Sequence, residues 1–396
     1  MRVALPIARL WLMASVVGGT SFGAAPVLAQ DSGSSDTQPI DWSVGLRGGY
    51  SNSSLDGVSY EGIVAPDLRL TLQGPSNTST LDAGGEFSID QNKMVRIEDA
   101  HVNGDATMQV NEDTSVEGTT GLSLKQLSQF DTSLPAGTTA GPLEFDGTAA
   151  GSLSRKLGHF DLKGTLTGER FIEGPTTLTG GARVDNSNLS YWRGAGEMRV
   201  GYELTPVVSV FVDGEDSYSA FDAVDPNVLK FLNGRTYTLR GGLSYTQPGT
   251  LEAEASFGRA WLDYTDPGIA DTQSWVADGS VTFTPDETTT LVGSLNTSLA
   301  PSTVVSGDTD VGYTLSGTAK YQVNPWLTLR GSTGAYRTVT LAAGAIDWGY
   351  SAGAGLDLAS SRHVVWSADY LFTHDDSSIN GRNDTHAVTV GVTVKK

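Results

Sequence analysis

Acidic and basic residues occur together in one part of the chain, on segments that alternate apolar and polar residues. Three acids lie within four positions of one another, and three arginines lie on the neighbouring segments. Carboxylates and guanidinium groups that line a water-filled path select ions and polar solutes by charge. We therefore take six residues as candidates for a constriction of such a path, and we expect the three arginines to face the three acids across it: Asp213, Glu215, Asp216, Arg193, Arg199 and Arg240. The alternative is a solvated strand end with no role in selection.

The sequence gives little support to metal binding, cofactor binding or catalysis. The chain has no cysteine, and none of its histidines forms a pair at the spacing of metal ligands (His101, His159, His363, His374 and His386). We predict no metal and no cofactor. Serine, histidine and acidic residues coexist, as in an outer-membrane lipase, but without a catalytic pattern. The sequence therefore predicts that the protein is not an enzyme.

The elements that carry these residues are strands with one apolar face. Three aromatic residues recur every 38 positions, and each is followed eight positions later by a second aromatic. Eight residues of a strand span about 26 Å, or about 20 Å when tilted, near the roughly 25 Å apolar band of an outer-membrane barrel. These residues are predicted to form two aromatic girdles at opposite membrane faces: Tyr237, Trp275 and Tyr313 at the outside, and Tyr245, Phe283 and Tyr321 at the inside.

The alternation continues through the whole chain and predicts an all-β fold. We expect a transmembrane antiparallel up-and-down β-barrel of about 18 strands, with both chain ends on the side of the short turns. The predicted strands are 42–52, 63–73, 79–90, 95–110, 114–125, 142–153, 158–171, 190–203, 206–217, 235–246, 249–262, 272–284, 287–299, 310–322, 325–338, 345–357, 362–374 and 384–395.

Three local features qualify that prediction. The strand 95–110 changes phase near Glu98 and Asp99, which indicates a β-bulge. The segment 175–186 also alternates, but a strand there would reverse the order of short and long connections, so we place it in a loop. A 38-residue period also occurs in propellers and solenoids, but a propeller blade packs four short strands into that length, whereas this unit holds two longer ones.

The chain divides into three parts. Residues 1–29 resemble a cleaved export signal, with Arg2 and Arg9 flanking a short apolar run and Val27, Leu28 and Ala29 at the cleavage site. A membrane-spanning helix is the alternative, and the run is shorter than such a helix requires. Residues 30–41 are predicted to be a flexible segment, and 42–396 to form the barrel.

The charge balance is strongly acidic. The 45 acidic and 25 basic residues give a net charge of -20, so we expect no nucleic-acid partner. Acids also exceed bases on the polar phase of the strands, which predicts a mild preference for cations in a barrel wide enough to hold water. The alternative is that these charges pair across strands and fill the lumen.

The second half of the chain resembles a known family. The run from Tyr191 to Pro206, continued by Val208 to Asp213, is similar to the family of putative beta-barrel porin 2 proteins. Tyr237 to Tyr245 and Trp366 to Tyr370 share the resemblance. It covers about 190–396, and the first half follows only in strand rhythm. The resemblance implies an outer-membrane barrel with a porin-like role. The end, Val392 to Lys396, departs from the terminal aromatic residue usual in such barrels.

These observations together predict a passive outer-membrane channel for small polar solutes. The alternative is a structural or surface-interaction barrel with a blocked lumen, linked to envelope polysaccharide. Loops folded into the lumen would favour the channel, and loops projecting outward would favour the alternative. The expected partners are outer-membrane lipids, the barrel-assembly machinery, small polar solutes and further copies of the chain in a homo-oligomer.

Overall fold

A computed structural model describes residues 40–396, except 55–56, 92, 128–133, 136, 303–304, 306 and 379–380. The predicted export signal, 1–29, and nearly all of the predicted flexible segment, 30–41, lie outside the described residues. The first strand begins at Ile40, two positions before the predicted start of the barrel. Within the part of the chain that the structure describes, no helix is long and apolar enough to cross a membrane.

Eighteen long strands form one antiparallel sheet, and each pairs with its neighbours in the chain. The first and last of them also pair with each other, so the sheet closes into a barrel and leaves no free edge. The predicted fold class and strand number are confirmed. The strands are β1 (Ile40–Ser53), β2 (Gly57–Gln73), β3 (Asn77–Asp90), β4 (Val95–Asn111), β5 (Thr114–Gln126), β7 (Leu143–Leu157), β8 (Phe160–Glu173), β11 (Tyr191–Thr205), β12 (Val208–Phe221), β13 (Gly234–Gln247), β14 (Leu251–Tyr264), β15 (Thr272–Asp286), β16 (Thr289–Pro301), β17 (Thr309–Asn324), β18 (Leu327–Thr340), β19 (Ile346–Ala359), β20 (Val364–Ser377) and β21 (Gly381–Lys395).

The two faces of the wall differ in polarity, because successive side chains of a strand point to opposite faces. In β12, Val212 and Tyr218 lie on the outer face and are 55% and 45% exposed. Asp213 and Ser217 lie on the inner face and are buried. The same alternation in the other strands gives an apolar outer surface and a polar interior, as an outer-membrane barrel requires.

The predicted irregularity in the fourth strand is present. Glu86 of β3 pairs with Asp99 of β4, whereas the next residue, Phe87, pairs with Ile97. Glu98 is therefore the extra residue of a β-bulge. The bulge is how the long strand keeps both of its halves in phase with the wall.

Short turns alternate with longer connections, as predicted, except at the first and last hairpins. Only three residues separate β1 from β2 and β20 from β21, because these strands extend further than predicted. The turn between β13 and β14 holds Gly249 at a φ of 72°, a conformation that favours glycine. Two of the longer connections contain short strands that pair with each other outside the barrel sheet. These are β6 (Thr138–Ala140), β9 (Thr176–Leu178) and β10 (Arg183–Val184), so the segment 175–186 belongs to a loop and adds no strand to the barrel.

Loops pack against the inner face at the outer end of the barrel. Aromatic and aliphatic residues from the outer ends of β8, β11, β12 and β14 form a buried cluster with Leu232 and Ile269, which lie in two of the long loops. Lys230 and Asp266 join the same two loops by an ion pair of 2.8 Å. We call this the mouth cluster, and its buried residues are Phe171, Tyr191, Phe221, Leu232, Leu262, Tyr264 and Ile269.

Candidate functional site

The inner wall carries a row of charged side chains across three adjacent strands. Strand register places Arg199 of β11 opposite Asp213 of β12, and Asp213 opposite Arg240 of β13. The Asp213 carboxylate is 1% exposed. It accepts a hydrogen bond of 2.8 Å from Arg240 Nε and lies 3.5 Å from Arg199 Nη2. One carboxylate is thus held between two guanidinium groups.

Each of these arginines also binds a second acid. Both terminal nitrogens of Arg199 donate to Glu254, at 2.9 and 2.7 Å, in the bidentate geometry that strengthens such pairs. Arg240 Nη1 donates to Asp278 at 2.7 Å. Space for the Arg240 side chain comes from Gly258, where an added Cβ would lie 2.8 Å from Arg240 Cγ and 2.0 Å from a backbone oxygen.

The row continues toward the outer end of the barrel. Arg193 donates to Glu215 at 2.8 Å, and its other terminal nitrogen lies 3.8 Å from Glu169. Glu197 lies directly opposite Glu215 in the strand register. We call the whole group the charged belt: Arg193, Glu197, Arg199, Asp213, Glu215, Arg240, Glu254 and Asp278. It joins five of the six predicted constriction residues.

The sixth, Asp216, does not belong to the charged belt. The prediction that it faces the lumen together with Glu215 is wrong. Adjacent residues of a regular strand point to opposite faces, so Asp216 lies on the outer surface of β12. There it is 45% exposed and hydrogen-bonds to Arg235, whose Nε lies 2.7 Å away. The guanidinium of Arg235 in turn lies 4.8 Å from the ring centre of Tyr237.

The arginines of the belt also differ from prediction in position. They were expected to face the acids across the channel, but Arg193, Arg199 and Arg240 lie beside them on the same wall. Strands that are neighbours in an up-and-down barrel are also neighbours in space, so residues from β11, β12 and β13 form one patch. The arginines of the belt are therefore neutralised by acids of the same wall.

On the rest of the inner wall, arginines are likewise paired with acids, and more acids than bases make no ion pair within the described residues. Each inner-face arginine of the described strands is ion-paired with a carboxylate, for example Arg47 with Glu86 and Arg330 with Asp357. Lys125, Lys163 and Lys320 make no ion pair within the described residues. Among the described acids of the inner face, a larger group makes none either: Asp67, Asp105, Glu117, Asp146, Asp161, Glu197 and Glu252.

The six aromatic residues predicted as girdles all occupy the outer phase of their strands. At the outer end, Trp275 stacks on Phe257 with ring centres 5.2 Å apart and 11° between the ring planes. The Arg259 guanidinium lies 5.2 Å from the Trp275 ring, and Tyr313 pairs in register with Arg337. At the other end lie Tyr245, Phe283 and Tyr321, near the short turns. Their contact with membrane lipid stays a prediction.

A second group of residues, which could bind a metal ion, is evident only in the structure. Asp67 of β2, Asp82 of β3 and His101 of β4 bring their side-chain ligand atoms within 4.8 Å of one another on the inner face. Spacing between histidines gave no sign of it, because the group contains one histidine and draws each residue from a different strand.

The closed antiparallel wall, apolar outside and charged inside, defines a porin-like barrel of the outer membrane. Residues 49–396 match the family model described as putative beta-barrel porin 2, and the chain belongs to that family. The predicted family and the predicted location in the outer membrane are confirmed. No curated protein matches the sequence.

Solved outer-membrane proteins of Pseudomonas aeruginosa are similar to the chain in fold. OpdK is 11% identical, with 90% of this chain and 99% of that chain covered and a TM-score of 0.42. OpdH is 13% identical, with 90% and 98% covered and a TM-score of 0.42. OpdF, solved in complex with glucuronate, is 11% identical, with the same coverage and TM-score as OpdH.

Proposed function

We propose that the chain forms a passive outer-membrane channel for small polar solutes, with a mild preference for cations. The observation that carries this proposal is the charge pattern of the inner wall. Its arginines are held by carboxylates, whereas several carboxylates make no ion pair within the described residues. A path lined in this way attracts cations more than anions, since rings of acidic side chains favour cations.

The loops support the channel over the alternative of a surface-interaction barrel. Leu232 and Ile269 pack against inner-face residues in the mouth cluster, so the loops that carry them turn inward. A barrel that binds envelope polysaccharide with its loops would be expected to project them outward. Loops that turn inward narrow the entrance and limit the size of the solute, which fits a channel.

Solute uptake by liposomes tests the proposal. Purified protein reconstituted into vesicles should let small uncharged sugars in and exclude large ones, so that vesicles swell at a rate that falls with sugar size. The matched control is Asp216→Asn, which alters the outer face and should swell its vesicles as fast as the unchanged protein. Vesicles that do not swell with any sugar would instead support the barrel with a blocked lumen.

We also propose how the protein reaches the outer membrane and what it contacts there. Residues 1–29 would direct export, the barrel-assembly machinery would insert the chain, and the aromatic girdles would contact outer-membrane lipids. A homo-oligomer is also proposed. Chemical crosslinking in intact outer membranes tests it, because a monomer would give no crosslinked band of twice the chain mass.

A further inference from the structure

We propose that Asp67, Asp82 and His101 form a binding site for a divalent transition-metal ion such as Zn²⁺ on the inner wall. Imidazole nitrogen together with carboxylate oxygen is a donor set that suits zinc. Three protein ligands leave a further coordination position, which would face the lumen. The site lies apart from the charged belt, and binding there does not require an open channel.

Strand register brings the three ligands together. Asp67 is opposite Gly84, and Gly84 is opposite His101, so the three residues form one row across β2, β3 and β4. Asp82 lies two positions from Gly84 on the same face. Because Gly84 has no side chain, Asp67 and His101 approach each other over it. A Cβ at this position would lie 3.0 Å from Asp67 Oδ2 and 3.2 Å from His101 Cε1.

The distances between ligand atoms fit a metal ion. His101 Nε2 lies 3.3 Å from Asp82 Oδ1. Two ligands of a tetrahedral zinc ion at about 2.1 Å lie roughly 3.4 Å apart. The ligand atoms of all three residues lie within 4.8 Å of one another.

The surrounding residues orient the ligands. Asp99 Oδ2 lies 2.5 Å from His101 Nδ1, which directs the other ring nitrogen, Nε2, toward the two carboxylates. Metal-binding histidines commonly have such a carboxylate on the second nitrogen. Arg69 binds the other oxygen of Asp82, Oδ2, at 3.2 Å, and leaves Oδ1 facing the histidine.

The charge of Asp67 also favours a bound cation at this site. Its carboxylate is partly buried and makes no hydrogen bond or ion pair within the part of the chain that the structure describes. A carboxylate in this position is costly unless a positive charge compensates it. A metal-bound histidine is neutral. With His101 in that state, the three acids Asp67, Asp82 and Asp99 and the one base Arg69 leave two negative charges, which a divalent ion would neutralise.

Calorimetric titration of Zn²⁺ into the purified full-length barrel in detergent tests the proposal. We expect one saturable site whose affinity falls at least about 100-fold in His101→Ala. In Asp99→Asn it should fall about 10- to 100-fold, the usual effect of removing such an orienting group. Gly84→Ala should also weaken binding, because its Cβ would occupy the gap between Asp67 and His101. His363→Ala, in an exposed turn, is the matched control and should leave the affinity unchanged.

Two further readouts make the result decisive. Co²⁺ bound to the unchanged protein should show the intense visible absorption of four-coordinate cobalt, and His101→Ala should lose it. Heat-dependent migration in gel electrophoresis shows whether each variant has folded. If folded His101→Ala and Asp67→Asn bind Zn²⁺ as tightly as the unchanged protein, or if the unchanged protein binds none, the proposal is overturned.

Discussion

Asp213 shows how acids of the inner wall neutralise its arginines. Its carboxylate is almost completely buried and touches two arginines, each of which has another acid partner. A buried carboxylate in such a position is stable only while its partners remain. Sequence alternation predicted the inward direction of Asp213 and Glu215. It could not give their partners, because these depend on strand register and on the rotamers of long side chains.

Replacing Asp213 by asparagine should therefore destabilise the barrel. Removing one partner of a buried ion pair commonly costs about 3–5 kcal/mol. Here Arg199 keeps Glu254 and Arg240 keeps Asp278, so we expect a smaller loss of about 1–3 kcal/mol. Urea unfolding in lipid vesicles, followed by tryptophan fluorescence, measures it. Glu117→Gln is the control, since Glu117 makes no ion pair within the described residues. An equal loss in both variants would contradict the account.

Two single residues also show where prediction from the sequence failed. Asp216 was grouped with Glu215 because the two are adjacent, although strand alternation places them on opposite faces. His101 showed no metal-ligand spacing along the chain, but its row across three strands brings it to two carboxylates. Linear spacing is informative within one strand. It cannot reveal contacts between strands before the register is known.

At the scale of elements, the strands were largely predictable and the loops were not. Alternation of apolar and polar residues gave all the barrel strands and the bulge at Glu98, because each follows from a period of two. The mouth cluster follows no such period. It depends on how loop residues such as Leu232 and Ile269 fold back onto the wall.

The outer girdle should contribute to stability through its aromatic contacts. Trp275→Ala removes the stack on Phe257 and the contact with Arg259. Such an aromatic pair contributes about 0.5–1.5 kcal/mol beyond the area it buries. We expect Trp275→Ala to lower the free energy of unfolding in vesicles by at least that amount. Trp326→Ala, in a short turn, should have a smaller effect, and the reverse order would contradict this role of the girdle.

The contact between two loops should respond to pH. The hydrogen bond from Lys230 lowers the pKa of Asp266 below its ordinary 3.8, with help from the backbone N–H of Gly268. A lowered carboxyl pKa means that the contact stabilises the loops above the ordinary pKa and is lost as the pH falls through the lowered value. Protease cleavage in these loops should therefore stay slow at about pH 5 and increase only below about pH 4.

The matched variant for that measurement is Lys230→Gln. It removes the ammonium partner, so cleavage should be faster at pH 5 and change less on acidification. Cleavage that is equally pH-dependent in both proteins would show that another group controls the loops.

In the barrel taken as a whole, the residues that determine its location differ from those on which its proposed function depends. The outer surface and the closed sheet place the protein in the outer membrane, and the sequence predicted both, since they rest on a repeated pattern. The proposed function depends on inner-face residues that follow no repeat. Their combined effect is a wall whose arginines are neutralised and whose surplus charge is negative.

That surplus should be reducible without changing the barrel. Replacing Glu117, Glu197 and Glu252 together by glutamine removes three carboxylates that make no ion pair within the described residues. We expect the preference for cations to fall toward zero while single-channel conductance in concentrated salt changes little. Asp216→Asn removes the same kind of charge from the outer face and should leave the preference intact.

The most direct test of the channel proposal is the zero-current potential of the purified protein in a planar bilayer under a gradient of KCl. Cations should cross more readily than anions, so the dilute side should become positive relative to the concentrated side. The triple glutamine variant should reduce that potential, and Asp216→Asn should not. A dilute side that becomes negative, or a folded protein that conducts no ions, would contradict the account.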